Sequence, residues 1–302
     1  MKGALLPITA ILKNEELAIR WRRFRIGMRR LRRNTLSFAA LIVIAAIAGM
    51  AVLASLIAPY DPNATDAALA MSPISIQHPM GTDIFGRDIL SRVIHGAQVD
   101  LLVALGATLI ALAISSVLGS VSGYSGGWVD HALMRVIDTI MSFPSFILAM
   151  GITAALGNKL VNVVIAIAVT HIPIYTRLIR GEMLRIREME YAEAARTVGN
   201  SKSRIIFYHL LPNCFPPVIV QATLAMGWAI LTVAGLSFIG LGIQPPLSEW
   251  GYMTAEGANY IVSGEWWLFL FPGLAIMLTV LSFNMVGDAL RDVLDPRMRG
   301  IR

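Results

Sequence analysis

The sequence predicts an all-α integral membrane protein with six transmembrane helices. Three observations carry that prediction. Of 302 residues, 56% are hydrophobic and 15% charged, whereas soluble domains sit near a quarter charged. The apolar residues gather in long runs free of charge, giving a mean hydropathy of +0.67. Lys and Arg collect in alternate connections between those runs, which is the charge asymmetry of a multi-pass protein.

Residues 1–35 form a basic N-terminal arm. Ten of the 25 Lys and Arg fall there, among them Arg20, Arg22, Arg23, Arg25, Arg29, Arg30, Arg32 and Arg33. Next to an apolar run, this charge reads as an anchor at anionic lipid headgroups and not as a nucleic-acid surface. The run itself, 36–58, has 23 residues without a charge. As a helix it measures about 34 Å, enough to cross a bilayer and too long for the apolar region of a cleavable signal. Pro59 and Pro62 end it.

An extracytoplasmic loop, 59–97, follows. Its Gly81-Thr82-Asp83-Ile84-Phe85-Gly86-Arg87-Asp88 stretch predicts a short amphipathic helix capped by Thr82 or Asp83, with Ile84, Leu90 and Val93 on the membrane surface. Residues 98–288 hold the other five spans, at 101–123, 136–156, 160–175, 214–241 and 267–287. Residues 178–212 form a cytoplasmic loop within that core, and 289–302 a cytoplasmic tail. The single cysteine, Cys214, rules out an intrachain disulfide.

Charge sets the orientation. The 178–212 loop carries six basic residues (Arg180, Arg185, Arg187, Arg196, Lys202, Arg204), and Arg291, Arg297, Arg299 and Arg302 follow the last span. Residues 244–266 carry no Lys or Arg and three glutamates, and 59–100 carries two arginines against five aspartates. Both termini and the 178–212 loop therefore fall on the cytoplasmic side.

Chemistry inside the spans is sparse. Asp100, Asp138 and Asp288 lie near span ends, Arg135 can pair with Asp138 at i, i+3, and His171 is the one ionisable side chain well inside a span. A self-powered carrier needs an intramembrane acid or His relay, so energy must come from outside the chain. Gly123-Tyr124-Ser125-Gly126 with His171 raises an intramembrane serine protease as an alternative, but a glycine-rich turn accounts for the four residues. Asp83 and Asp88 are candidate metal ligands only by residue type. No cation-loop spacing surrounds them, and capping or pairing with Arg87 and Arg92 is the reading adopted. Pro144, Pro173, Pro216, Pro217 and Pro272 mark helices able to kink.

Two polar stretches stand out as candidate sites. The first is Glu193-Ala194-Ala195-Arg196-Thr197-Val198-Gly199, followed by Leu211-Pro212. Alanines permit close approach to a helix backbone, Glu193 supplies one directional contact, and Gly199 permits a sharp turn. Glu-Ala-Ala alone is a common tripeptide of interhelical loops; the complete pattern describes a compact knob fitted to a cleft in another protein. The second is Gln244-Pro245-Pro246 with Glu249 and Trp250, an outer-face loop after a glycine-rich helix end. It reads as an outer gate or docking surface, with Trp250 at the headgroup boundary.

Glu193, Ala194, Ala195, Gly199, Leu211 and Pro212 resemble the cytoplasmic coupling motif of permease subunits of ATP-binding-cassette importers, with His209 where an isoleucine is common. Gly81-Thr82-Asp83, Gly86-Arg87-Asp88, Leu236-Ser237-Phe238-Ile239-Gly240-Leu241-Gly242, Glu249-Trp250-Gly251 and Leu294-Asp295-Pro296 resemble the peptide/opine/nickel permeases, specifically the second permease of the dipeptide/oligopeptide type. The resemblance implies a type I importer fold with a peripheral first span. It implies a second homologous permease, two cytoplasmic ATPases and an extracytoplasmic solute-binding protein as partners in a bacterial-type cytoplasmic membrane. The chain itself would be non-catalytic and bind no cofactor; ATP and Mg would be used by the ATPases. Di- or oligopeptides are the first expectation for cargo. Opines, glutathione-like conjugates and nickel complexes stay open, as does a non-energised channel.

Overall fold

The computed structural model describes residues 34–294; the basic arm up to Arg33 and the last residues from Asp295 lie outside it. The described chain is helical, with one isolated bridge, Thr82 to Asp88.

Helix α1 runs Thr35–Val52, with the Asn34 side chain accepting from Ser37 N. The expected span to residue 58 is interrupted at Leu53; one more turn, Ala54–Ile57, ends where Ala58 turns extended ahead of Pro59. Proline disfavours helix in the residue before it, so the stop is local. Next, α2 covers Ile89–Ser125, 37 residues in one piece. This corrects the expected short amphipathic helix. Its cap is Asp88, not Thr82 or Asp83, and the helix that starts there continues into the membrane. The sequence reading placed a break where the outer charges thin out, but no glycine or proline pair stands between Asp88 and the apolar run to enforce one.

The third expected span, 136–156, is bent. Helices α3 (Gly127–Met141) and α4 (Ser145–Leu156) meet at 85°. Pro144 occupies the N-cap of α4 and cannot continue α3, which is the physical cause. Helix α5, Leu160–Ile186, outruns its expected end by about three turns, so the loop expected from 178 starts at 187. After α6 (Glu190–Thr197), helix α7 spans Lys202–Phe238, passing through a π-helical stretch at Ile205–Leu210 just before Pro212 withdraws its N–H. Leu211 and Pro212 therefore belong to the span's first turns. Helix α8 (Trp250–Ala258) lies between spans, and α9 (Trp267–Leu294) carries the chain into the former tail.

The tightest pairing is α2 with α5. Ser115 Oγ donates to Ile172 O at 2.9 Å, a Cβ on Gly119 would stand 2.7 Å from Thr176 O, and one on Gly123 would stand 2.8 Å from Arg180 O. Each pair is 57 residues apart, so the two helices run parallel in constant register. Small residues at i, i+4 and i+8 are what lets backbones approach within a membrane. Two parallel neighbours force the chain between them to return across the bilayer. The bent α3–α4 pair is that return, and it brings the five long apolar helices to six crossings.

Ala104, Ala107 and Ala111 extend the small stripe toward Val163, Val164 and Ile167 of α5 and Ala229, Ile230 and Val233 of α7. Helix α9 packs on α7 and on α1, and α1 also touches α2. Of the described residues of α1 only Ser37, Ala40 and Ala51 are buried.

Candidate functional site

Beyond the C-terminal ends of α2 and α5, α6 is an eight-residue helix built on one buried face. Ala192 is fully buried and Ala195 half-buried, packed with Met183, Ile186, Ile205, Ile206, Leu210 and Cys214. The opposite face is open. Glu193, Ala194 and Thr197 are exposed, and Val198 is 82% exposed. Gly199 follows at φ +82°, a conformation other residues adopt only with strain, and among the described residues nothing lies within 4 Å of where its Cβ would stand. Asn200 Nδ2 donates back to Ala195 O at 3.0 Å, satisfying a terminal carbonyl. The structure thus brings Glu193, Ala194 and Gly199 together on one free surface. It turns Ala195 partly toward its own chain, and puts Leu211, half-buried, and Pro212 at the start of α7. An open apolar residue beside a carboxylate and a methyl-sized side chain can seat against a partner and can do no bond chemistry.

Arginines fix this knob to the spans. Arg187, at the end of α5, donates from Nη1 to Gly123 O (2.8 Å) and Tyr124 O (3.3 Å), two carbonyls in the last turn of α2. Arg196 of α6 donates to Arg187 O at 2.7 Å and lies over the Tyr124 ring at 5.7 Å. Higher up, Asp130 of α3 receives both Arg180 Nε and Nη2 at 2.6 Å and the Ser122 hydroxyl at 2.5 Å. Asp138 pairs with Arg177 at 2.5 Å, not with Arg135 as expected from spacing. On α3 the i, i+3 neighbour loses to a cation fixed on the adjoining helix.

At the opposite end of the spans, the 244–250 stretch divides in two. Pro245, Pro246 and Leu247 are exposed and Gln244 half-buried, while Ser248, Glu249 and Trp250 are buried. Glu249 is the N-cap of α8, its two oxygens accepting from Gly251 N (2.6 Å) and Tyr252 N (2.7 Å). Burial holds its carboxyl above the ordinary range, against the pull of those donors. Trp250 does not reach a headgroup boundary. It is fully buried, its indole lies against Gly96, Nε1 donates to Val93 O at 2.8 Å, and its backbone N–H donates to Asp100 Oδ2 at 3.1 Å. A tryptophan next to a glycine one helix away packs inward, and this corrects the expected interfacial placement.

The Gly81–Arg92 segment knots this end of the molecule. Asp83 accepts from Phe85 N (2.9 Å), Arg87 N (3.0 Å) and Arg87 Nε (2.6 Å), with Arg92 Nε at 3.5 Å. Asp88 takes Ser91 N and Oγ, each at 2.7 Å, and His78 Nδ1 at 2.9 Å. Arg87 also reaches Glu256 of α8 at 3.7 Å. Both aspartates are thus consumed in capping and ion pairs. Among the described residues no group of three or more His, Cys, Asp or Glu is placed to hold a metal.

The protease alternative fails on geometry. Ser125 ends α2, with Gly126 at φ +65° as its cap. His171 precedes Ile172, which pairs with Ser115, ten residues and about 15 Å up α2 from Ser125. Sequence reasoning missed α8, Asp100 and the Arg187–Arg196–Tyr124 contact. Only the Ser115-Gly119-Gly123 spacing left a visible signal.

With this geometry in hand, the comparisons agree with one another. The pattern of binding-protein-dependent transport system inner membrane components matches residues 115–300, and that of the N-terminal transmembrane domain of oligopeptide transport permease C matches 19–74. A dipeptide transport system permease of Alkalihalophilus pseudofirmus is 43% identical across 91% of this chain and 90% of its own. A probable D,D-dipeptide transport system permease of Escherichia coli is 44% identical across 89% and 90%. A glutathione transport system permease of Shigella boydii is 39% identical across 99% and 98%. The chain belongs to the binding-protein-dependent transport permeases, the non-catalytic membrane subunits of ATP-binding-cassette importers.

Proposed function

We propose that this chain, as a permease of that family, carries short peptides inward alongside a second homologous permease, driven through α6 by cytoplasmic ATPases. The observation that supports the coupling role is the division of α6. Ala192 is buried against its own chain, while Glu193, Ala194, Thr197 and Val198 stand free just beyond the cytoplasmic ends of the spans. Val198 is a large apolar residue that none of the described residues covers, and Gly199 gives the turn that presents it. Both termini and α6 lie in the cytoplasm on this reading, in keeping with the basic residues around them. The domain organisation follows: basic arm, peripheral first span, outer loop, five-span core, short tail.

Cargo follows from the relatives. Two of those named above carry dipeptides by name and one glutathione, itself a modified tripeptide. Short peptides are the class they share. The chain binds no cofactor in this scheme; ATP and Mg belong to its ATPase partners. At the outer face Gln244, Pro245, Pro246 and Leu247 form the surface offered to an extracytoplasmic binding protein. Glu249 and Trp250 shape that surface from beneath and do not line a gate.

Replacing Ala194 by Trp on the free face tests the coupling role, because a large side chain at a fitted contact costs about 1–3 kcal/mol. Glu193→Lys reverses a charge on that face. Either variant, reconstituted with its partners, should lose ATPase subunits or hydrolyse ATP without importing a dipeptide. Wild-type import with ATPases bound in both would sink the assignment of α6. A thermal-shift screen of the cognate binding protein against dipeptides, glutathione, opines and nickel chelates tests the cargo, and stabilisation by nickel chelates alone would overturn it.

A further inference from the structure

Arg187 and Arg196, two basic residues around α6, are engaged by the protein itself. Arg187 is half-buried and its guanidinium is aimed at Gly123 O and Tyr124 O. Those carbonyls sit in the last turn of α2, where helix carbonyls lack intrahelical partners and the dipole favours a cation. Arg196, on α6, bonds the carbonyl of Arg187 itself and covers the Tyr124 ring. Tyr124 also packs against the apolar cluster that buries Ala192. The ends of three helices are thus closed into one ring: α5 to α2 through the side chain of Arg187, α6 to α5 and α2 through Arg196.

We infer that Arg187 and Arg196 lock α6 to the cytoplasmic ends of α2 and α5, so that the three move as one body. The inference rests on the reading of α6 as the ATPase contact. An eight-residue helix does not hold itself in water. Without the ring, a push on α6 would be absorbed by the 187–201 loop. With it, the push enters the α2–α5 pair, whose backbones already meet at Gly119 and Gly123. Arg187 and Arg196 are positioning residues for transport: they touch neither cargo nor nucleotide. Lipid headgroups, the other common partner of cytoplasmic arginines, are not needed to account for them: Arg187 is held by Gly123 O, Tyr124 O and, through Nε, the Glu188 carboxylate at 2.8 Å, and Arg196 by Arg187 O.

Rigidity is read directly with spin labels at Ser125→Cys and Glu190→Cys, both exposed, in a Cys214→Ala background and the complete importer. The distance between them is expected to be the same in the nucleotide-free and ATP-trapped states, and to shift or broaden with ATP once Arg187→Ala is added. A distance that changes between states with Arg187 intact would overturn the inference. Arg187→Ala should also raise the ATP consumed per substrate by about 5-fold or more, the lower end of an ordinary coupling energy. Arg187→Lys, which keeps a donor for one carbonyl, should recover most of that loss; a general folding defect would not be so rescued. Unchanged stoichiometry in Arg187→Ala would count against the lock. Should Arg187→Ala fail to assemble, the intact-Arg187 distance pair still decides the matter. If Glu193→Lys keeps its ATPases and transports normally, the contact reading of α6 fails, while the spin-label result stands independently.

Discussion

A methyl group added to Gly119 tests whether the α2–α5 crossing sets the architecture. Its Cβ would stand 2.7 Å from Thr176 O and 2.9 Å from Ile179 Cβ. Carbon atoms prefer about 3.5–4.0 Å, so the helices must part by roughly 0.5–1 Å, and a gap of that size forfeits a quarter to a half of each neighbouring contact. Overpacking of this kind costs about 1–3 kcal/mol. Replacing a helical glycine by alanine returns about 1 kcal/mol of helix propensity. Gly181, on α5 itself, supplies the control, because nothing lies within 4 Å of a Cβ there. Both substitutions share the propensity gain, so their difference isolates the packing. Gly119→Ala should be less stable than Gly181→Ala by about 1–3 kcal/mol, read by equilibrium unfolding of the purified permease in mixed micelles. Equal stabilities would refute the close crossing.

Other expectations bear on the two faces. The Glu249 carboxyl is held above its ordinary range by burial. A group raised in this way contributes its full stability below the unfolded pKa and loses it as pH rises through the folded one. The thermal stability of the purified protein should therefore fall as pH climbs above the usual carboxylate range, and Glu249→Gln should flatten that slope; an identical slope would exclude this carboxyl as the source. Asp130→Asn leaves the Arg180 fork and the Ser122 hydroxyl poorly matched, and should cost about 1–3 kcal/mol in the same unfolding measurement. For orientation, Ile76→Cys and Val262→Cys, at positions 97% and 99% exposed, should label with an impermeant thiol reagent in intact cells, and Val198→Cys only after permeabilisation. The reverse pattern would invert the topology.

Six crossings were legible because uncharged runs of bilayer length have no soluble alternative. The knob at Glu193–Gly199 was legible for a different reason: a polar, alanine-rich turn is conspicuous between apolar spans. Helix ends were harder to read. Hydropathy marks where lipid stops, and α5 and α9 simply continue past that point into water, as Arg185 and Arg291 on their last turns show. The burial of Trp250 depends on partners far along the chain, Val93 and Asp100. Asp100 itself looked like a span-end aspartate, and nothing local says that its oxygen meets a backbone N–H 150 residues on.

The constant offset of 57 residues between α2 and α5 also imposes an order of events on biogenesis. Ser115, Gly119 and Gly123 enter the bilayer when their seam has no second half. At about 5–20 residues per second, synthesis delivers Ile172, Thr176 and Arg180 some 3–11 s later. Throughout that wait the seam faces lipid or the insertion machinery. Glycine exposes no polar side chain to hydrocarbon, and serine can satisfy its hydroxyl on a carbonyl of its own preceding turn. The residues that permit the tightest contact in the finished molecule are thus also those that leave α2 tolerable as a solitary helix, and the bent α3–α4 span is the clock that ends its solitude.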